Sequence, residues 1–140
     1  MAQLVYLMGP FSSACGWRGL LALAALSDKL TAAGIEVIVA GHGRFHPAQR
    51  LAAASNLPFA LRDDAHGQLA RRYGAAGERP HLLLLDAAGR VRFRQTLTAD
   101  GKLAAGRLLQ AAAGQQRKRD ILTAPGATNS EVLHALRIAC

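Results

Sequence analysis

The chain has 140 residues, 51% of them apolar, and its 17 basic and 9 acidic residues give a formal net charge of +8. A chain of this length removes roughly 68–70% of its unfolded surface from water, which favours one compact domain. The apolar run near the start is short and has no basic leader, which argues against a signal peptide or a membrane span. We therefore expect a soluble, cytoplasmic protein.

The two cysteines, Cys15 and Cys140, lie near opposite ends of the sequence. Two residues so far apart do not make the dense disulfide framework of a small secreted fold, so any role they have depends on thiol reactivity. The surplus of positive charge favours contact with anions and says nothing about the fold.

The first part of the sequence predicts a strand–helix–strand unit. Residues 4–8 are continuously apolar and residues 35–41 are β-branched and closed by glycine, so both are predicted as buried strands of a parallel pair. The segment between them ends at Gly34 and is predicted as a helix. Its helically spaced leucines are Leu20, Leu23, Leu26 and Leu30.

The middle of the sequence predicts two further helices and then a hairpin. The helices are predicted at residues 46–56 and 66–75, with a short extended piece at 57–61 between them. The pattern then changes, and residues 81–86 and 91–97 are predicted as two strands joined by a short turn.

The last part of the sequence is helical and basic. A helix is predicted at about residues 101–114, and the polar stretch GQQRKRD follows it. Thr128 and Glu131 have capping-box spacing ahead of a last short helix. We therefore divide the chain into a domain of residues 1–114 and a basic linker with a C-terminal helical tail at 115–140.

The order of these elements predicts the fold. A parallel strand–helix–strand unit, a helical connection, an antiparallel hairpin and a closing helix give an α/β structure with a mixed sheet flanked by helices. This is the order of the thioredoxin fold, with a four-stranded sheet and the C-terminal helical tail as an addition.

Two stretches carry a resemblance to a known family. LPFALRDDAHGQLARRYGA (57–75) and RPHLLLLDAAGRVRFR (79–94) resemble the peroxiredoxin-like branch of the thioredoxin-like superfamily, and the resemblance extends over roughly residues 3–112. The residues that match the family's pattern are Leu57, Pro58, Phe59, Asp64, Gly67, Ala70, Tyr73, Gly74, Leu82 to Asp86, and Gly89.

The resemblance implies a reactive cysteine at Cys15. In this family that residue follows the first strand of the core unit and starts the next helix, where backbone N–H groups and the helix dipole favour a thiolate nucleophile. The resemblance also implies that Ser12 and the amides around Gly16 hold the incoming oxygen or sulfur. Arg18 or Arg79 would favour the thiolate.

Two further site residues follow from the resemblance. Pro80 would shape the opposite wall of the site, at the place of the thioredoxin cis-proline, and Cys140 would resolve the oxidised Cys15. The sequence departs from the peroxiredoxin motif at Met8 and Ser12, which stand where the family has proline and threonine. Pro80 itself stands where peroxiredoxins have an arginine, and thioredoxin's second active-site cysteine is also absent.

Two functions remain open on this evidence. The first is a peroxiredoxin-like thiol oxidoreductase that uses Cys15 to reduce a peroxide or to exchange disulfides, with a thiol reductant protein or a small thiol as partner. The second is a catalytically inactive redoxin-fold subunit for binding or assembly. A homodimer is compatible with either, and neither needs a cofactor.

Other binding functions have less support in the sequence. A phosphate-binding loop beginning at Gly9 needs lysine at residue 15, and a cysteine stands there. His42 and His46 are four residues apart, but proline and glycine interrupt the helix that would align them on a metal ion. In the predicted hairpin Phe93 points to the opposite face from Arg92 and Arg94, so these arginines and the RKR stretch at 117–119 have no aromatic residue on their own face, and we do not expect nucleic-acid binding.

Overall fold

The structure is a computed structural model that describes residues 1–75, 79–98 and 100–123. It has five strands, which are Gln3–Pro10 (β1), Glu36–His42 (β2), Leu61–Asp63 (β3), His81–Leu85 (β4) and Val91–Thr96 (β5). It has five helices, which are Ala14–Ala24 (α1), Ser27–Ala32 (α2), Phe45–Ala54 (α3), Gln68–Arg72 (α4) and Ala105–Thr123 (α5).

The strands form one mixed sheet in the order β3-β2-β1-β4-β5. β1 is central and pairs in parallel with β2, with Val5 opposite Ile38, and antiparallel with β4, with Val5 opposite Leu83. The predicted parallel unit and hairpin are confirmed, but the predicted number of four strands is wrong. The fifth strand, β3, has three residues, so it is too short to show a strand periodicity in the sequence.

The helices differ from the predicted ones at their ends. The single helix expected before Gly34 is two helices. The Leu26 N–H donates to Leu23 O, three residues earlier, at 2.9 Å, which ends the α-helical bonding of α1, and a new helix begins at Ser27. α5 begins at Ala105 and continues to Thr123, past the expected end at 114. The predicted division at 115 stays a prediction, and the predicted last helix lies outside the described residues.

The core has two parts, one on each face of the sheet. On one face α1, α2, α3 and α5 cover the even-numbered residues of β1 and β4, with Tyr6 and Leu84 at the centre. On the other face the five-residue helix α4 covers the odd-numbered residues, including Val5 and Leu83. All five residues of β4 are buried, since both of its faces lie under helices. No helix in the described part of the chain is long and apolar enough to cross a membrane.

The β4–β5 hairpin is closed by Asp86, whose side chain is 5% exposed. Its Oδ1 accepts from the backbone N–H groups of Ala88 and Arg90, each at 2.9 Å. Its Oδ2 accepts from Arg92 Nε at 2.9 Å and lies 3.3 Å from Arg90 Nε. Arg94 donates to Gly74 O at 3.0 Å. The three hairpin arginines therefore have partners within the fold.

Candidate active site

The candidate site lies at the edge of the sheet where β1 and β5 end and β4 begins. Because β4 is antiparallel to both neighbours, the segment after β1, the segment after β5 and the residue before β4 meet at this edge. Cys15 is the second residue of α1, Thr98 follows β5, and Pro80 precedes β4. The fold thus brings Cys15 and Thr98 together, although 83 positions separate them in the sequence.

α1 is capped by Ser13 rather than by the predicted site residue Ser12. Ser13 has an extended backbone, and its hydroxyl oxygen accepts from the Gly16 N–H at 3.3 Å. Ser12 is exposed. The Gly16 amide, which the sequence predicted to hold substrate, is thus engaged in the helix cap. The signal was present in the sequence, since a serine three positions before a helical N–H is a common cap.

The adjacent serines give a direct test of this assignment. Ser13→Ala should lower the free energy of unfolding by about 1 kcal/mol, because it removes the side-chain acceptor at the start of α1. Ser12→Ala, the matched control, should change it by less than about 0.5 kcal/mol. Urea unfolding of both variants measures the difference, and equal effects would contradict the cap.

The Cys15 side chain is half-buried, and its Sγ donates to Thr98 O at 2.9 Å. The Gly101 N–H donates to the same carbonyl at 2.9 Å. A thiol donates this hydrogen bond only while it keeps its proton, since a thiolate has no hydrogen to give. Cys15 must therefore give up Thr98 O in order to act as a nucleophile.

The described residues between β5 and α5, 97–98 and 100–104, cover one side of the thiol, and we call them the β5–α5 loop. Its first residue, Leu97, donates to Pro80 O at 2.8 Å, and Thr98 Oγ1 donates to Asp100 Oδ1. Gly101 has φ +69° and packs against the first turns of α1. A Cβ there would lie 2.9 Å from Gly19 N and 3.0 Å from Cys15 O.

Tyr6 supports the first turn of α1 from below. Its side chain is fully buried in β1, and its hydroxyl donates to Gly16 O at 2.7 Å. Burial raises the pKa of Tyr6 well above its usual value, and the nearby Cys15 raises it further, so the hydroxyl keeps its proton. Tyr6 was not predicted as a site residue, because a tyrosine within an apolar run is usually a core residue.

The remaining predicted site residues lie in different places. Arg18 is exposed on α1, one turn after Cys15, and Arg79 is exposed directly before β4. Pro80 is buried, and its carbonyl is held by Leu97. The peptide bond before Pro80 is trans, so the expected cis-proline is not present. Cys140 lies outside the described residues.

Two open clefts lie beside α1, one at its start and one along its later turns. One has a volume of about 420 Å³, and its lining includes Ser12, Trp17 and Arg44. The other has a volume of about 480 Å³ and lies between α1 and the β5–α5 loop, with Arg18 and Lys102 in its wall. Ser12 and Arg18 therefore line different clefts.

His81 lies at the start of β4 with Thr96 as its partner. His81 Nδ1 and Thr96 Oγ1 are 3.1 Å apart. Burial lowers the pKa of His81, and the positive charge of Arg94 lowers it further, so the imidazole is neutral at pH 7. Strand alternation places His81 on the face of the sheet opposite α1, away from the thiol.

Comparisons with known proteins identify the fold. No protein-family model matches the sequence, and no curated protein matches it. The structure is similar to the bacterioferritin comigratory protein of Xanthomonas campestris, at 16% identity and a TM-score of 0.67, over 82% of this chain and 80% of that one. It is also similar to a thioredoxin-like protein from Porphyromonas gingivalis, at 16% identity and a TM-score of 0.64, over 84% and 76%.

A third similar structure is a protein of Chlorobium tepidum assigned as the thiol:disulfide interchange protein DsbE. It shares 20% identity at a TM-score of 0.66, over 80% of this chain and 79% of that one. These likenesses confirm the predicted thioredoxin fold, with its mixed sheet flanked by helices. At 16–20% identity these similarities show the fold alone and do not show the chemistry of Cys15.

Proposed function

We propose that this thioredoxin-fold chain is a peroxiredoxin-like thiol oxidoreductase in which Cys15 reduces a peroxide or exchanges with a disulfide. The observation that carries the proposal is the position of Cys15 Sγ, which is half-buried in the first turn of α1 at the carboxyl end of the central strand. Two of the similar structures bear names of thiol redox or peroxide chemistry, which supports this choice among the functions of the fold.

The proposed peroxide reaction begins when Cys15 releases Thr98 O and loses its proton to water. The thiolate attacks the terminal oxygen of ROOH, so an S–O bond forms, the O–O bond breaks, and the leaving alkoxide takes a proton to become ROH. Cys15 is then a sulfenic acid. A thiol R′SH converts it to a mixed disulfide and water, and a second thiol releases the Cys15 thiol together with R′SSR′.

The other predicted site residues receive roles under this proposal. Ser12 and the Gly16 N–H would hold the peroxide oxygen, which requires that Gly16 exchange its bond to Ser13 for one to substrate. Arg18 or Arg79 would favour the thiolate by its positive charge. Pro80 would shape the wall opposite α1.

The proposal also includes a resolving thiol and a partner. Cys140 would attack the oxidised Cys15, either within one chain or across a homodimer, and a thiol protein or a small thiol would reduce the product. We place this cycle in the cytoplasm, where thiols are kept reduced. Native mass spectrometry of the reduced and oxidised protein measures the oligomeric state.

The function is tested by treating the reduced protein with hydrogen peroxide or an alkyl hydroperoxide and following peroxide loss with a thiol reductant present. We expect catalytic turnover in the wild type, none in Cys15→Ser, and a sulfenic acid at Cys15 when it is trapped with dimedone. Non-reducing peptide mapping should show a Cys15–Cys140 disulfide that Cys140→Ser abolishes. A wild type that consumes neither peroxide nor disulfide would contradict the proposal.

A second candidate is an inactive redoxin-fold subunit for binding or assembly. The observation in its favour is that the Cys15 thiol donates to Thr98 O while the Gly16 amide is held by Ser13, an arrangement suited to a protonated thiol. Under this function Cys15 would alkylate slowly and Cys15→Ser would retain every binding partner of the wild type. Under the oxidoreductase function the same variant loses turnover.

A further inference from the structure

Tyr6 carries a hydroxyl that neither packing nor the helix requires. Its ring is fully buried beneath α1, and a phenylalanine would fill the same space. Its acceptor, Gly16 O, lies within α1, where the N–H four residues later already serves that carbonyl. The Tyr6 hydroxyl is therefore a second donor to the Gly16 carbonyl, at 2.7 Å. This hydrogen bond links the central strand to the turn that holds Cys15.

Two glycines bring α1 unusually close to β1 at the same place. A Cβ on Gly16 would lie 2.6 Å from Met8 O, and a Cβ on Gly19 would lie 2.2 Å from the Tyr6 hydroxyl oxygen. Glycine is a poor helix former, so two of them in one turn weaken the helix that they occupy. Both glycines are required for α1 to pack this closely on β1 with the Tyr6 hydroxyl between them.

The first turn of α1 is held from above as well. Gly101 of the β5–α5 loop packs on it, and a Cβ on Gly101 would lie 3.0 Å from Cys15 O. Cys15 thus sits in a turn that is fixed on one side by Tyr6 and Gly19 and on the other by Gly101 and Thr98.

We infer that Tyr6 is a positioning residue for Cys15, and that it acts through Gly16 O to fix the first turn of α1, so that the sulfur stays in place at the sheet edge when it releases Thr98 O to react. The inference rests on the proposed function, because it assigns Tyr6 a role in the reaction of the same thiol. The raised pKa of Tyr6 supports it, since the hydroxyl stays a donor throughout the pH range in which a thiol reacts.

The first test is Tyr6→Phe, which removes the hydroxyl and keeps the ring. We expect the second-order rate constant of Cys15 with hydrogen peroxide to fall about tenfold, since small displacements of a reacting group have effects of this size. Tyr73→Phe is the matched control, because Tyr73 lies beside α4 on the other face of the sheet. It should change the rate constant less than twofold.

A rescue experiment separates positioning from general loss of stability. In Gly19→Ala the new methyl group meets the Tyr6 oxygen, and next Leu97 Cδ2 at 2.6 Å. Tyr6→Phe removes that oxygen. The rate constant of the double variant should therefore be at least threefold higher than that of Gly19→Ala alone. Losses that multiply without rescue would overturn the inference.

A third measurement does not depend on enzymatic activity. Alkylation of Cys15 by chloroacetamide, followed by mass spectrometry far below the unfolding temperature, should be at least threefold faster in Tyr6→Phe, because a looser first turn lets the sulfur leave Thr98 O more often. Chloroacetamide needs only that release, whereas the reaction with peroxide also needs the released sulfur to be held in a fixed place. The amide resonances of Gly16 and Thr98 should shift in the same variant. If the wild type fails to react with peroxide, the proposed function fails and this measurement still decides the role of Tyr6. An unchanged alkylation rate with unchanged resonances would overturn it.

Discussion

Replacing Gly101 with alanine should lower the free energy of unfolding by about 2–4 kcal/mol. The new Cβ would lie 2.8 Å from Arg18 Cβ and 2.9 Å from Gly19 N, and the second of these is a backbone atom that cannot turn aside. The residue also has φ +69°, which adds about 1 kcal/mol or more for any L side chain. The β5–α5 loop must therefore move away from α1, and Cys15 loses its bond to Thr98 O.

Gly89→Ala is a matched control for Gly101→Ala. Gly89 also has a positive φ, of 82°, but no atom lies within 4 Å of the place of its Cβ. The control therefore carries the conformational penalty without the steric one. Urea unfolding should show the larger loss for Gly101→Ala, and chloroacetamide should alkylate Cys15 faster in that variant alone. Equal losses of unfolding free energy in the two variants would show that the β5–α5 loop is not in tight contact with α1.

Asp86→Asn should lower the free energy of unfolding by about 2–3 kcal/mol at pH 7. The carboxylate is buried at the hairpin turn and accepts from two backbone N–H groups and from Arg92. An asparagine keeps one acceptor oxygen but turns an NH₂ group toward these donors. The β4–β5 hairpin should therefore open first, which hydrogen exchange at Arg90 and Leu97 measures.

The same carboxylate predicts a pH dependence of stability. Burial alone raises the pKa of Asp86, but the hydrogen bonds from Arg90, Arg92 and Ala88 outweigh it and hold the pKa below its usual range. The unfolded chain, with a pKa of about 3.9, therefore binds this proton first as the pH falls. The contribution of Asp86 is complete above that pH and is lost as the pH falls through the lower folded value.

Unfolding measured between pH 3 and pH 7 tests this sign. The difference between wild type and Asp86→Asn should be largest near pH 7 and should shrink toward acid. Asp63→Asn is the matched control, because Asp63 is exposed on β3 and its replacement should leave the curve of the wild type nearly unchanged. A difference that grows toward acid would contradict the assigned role of Asp86.

Much of the fold follows from the sequence, because long apolar runs and helical spacings report local structure. Residues 4–8, 35–41, 81–86 and 91–97 all form strands close to those bounds. β3 was missed because its pairing with β2 decides that three residues form a strand, and pairing is not a local property. The break between α1 and α2 was hidden by leucine spacing that continues across it.

The place of Cys15 in the fold was predictable, but its contacts were not. Cys15 lies at the start of α1, as the family resemblance implies, because the strand–helix order fixes that place. Its contact with Thr98 depends on how the β5–α5 loop returns across the sheet edge, and no short-range pattern encodes it. Ser13 rather than Ser12 caps α1, a difference of one position that lies within the ordinary error of predicted helix ends.

The leucines of β4 have a consequence for folding. Residues 82–85 are all leucine and all buried, so a slip of this strand by one position exchanges leucine for leucine on both faces, and burial barely distinguishes the two frames. The correct frame must be selected by the strand's ends, where Pro80 has no amide hydrogen and Asp86 fits one turn. Misaligned hairpins should therefore be long-lived traps during refolding, and they should accumulate most when Asp86 is replaced.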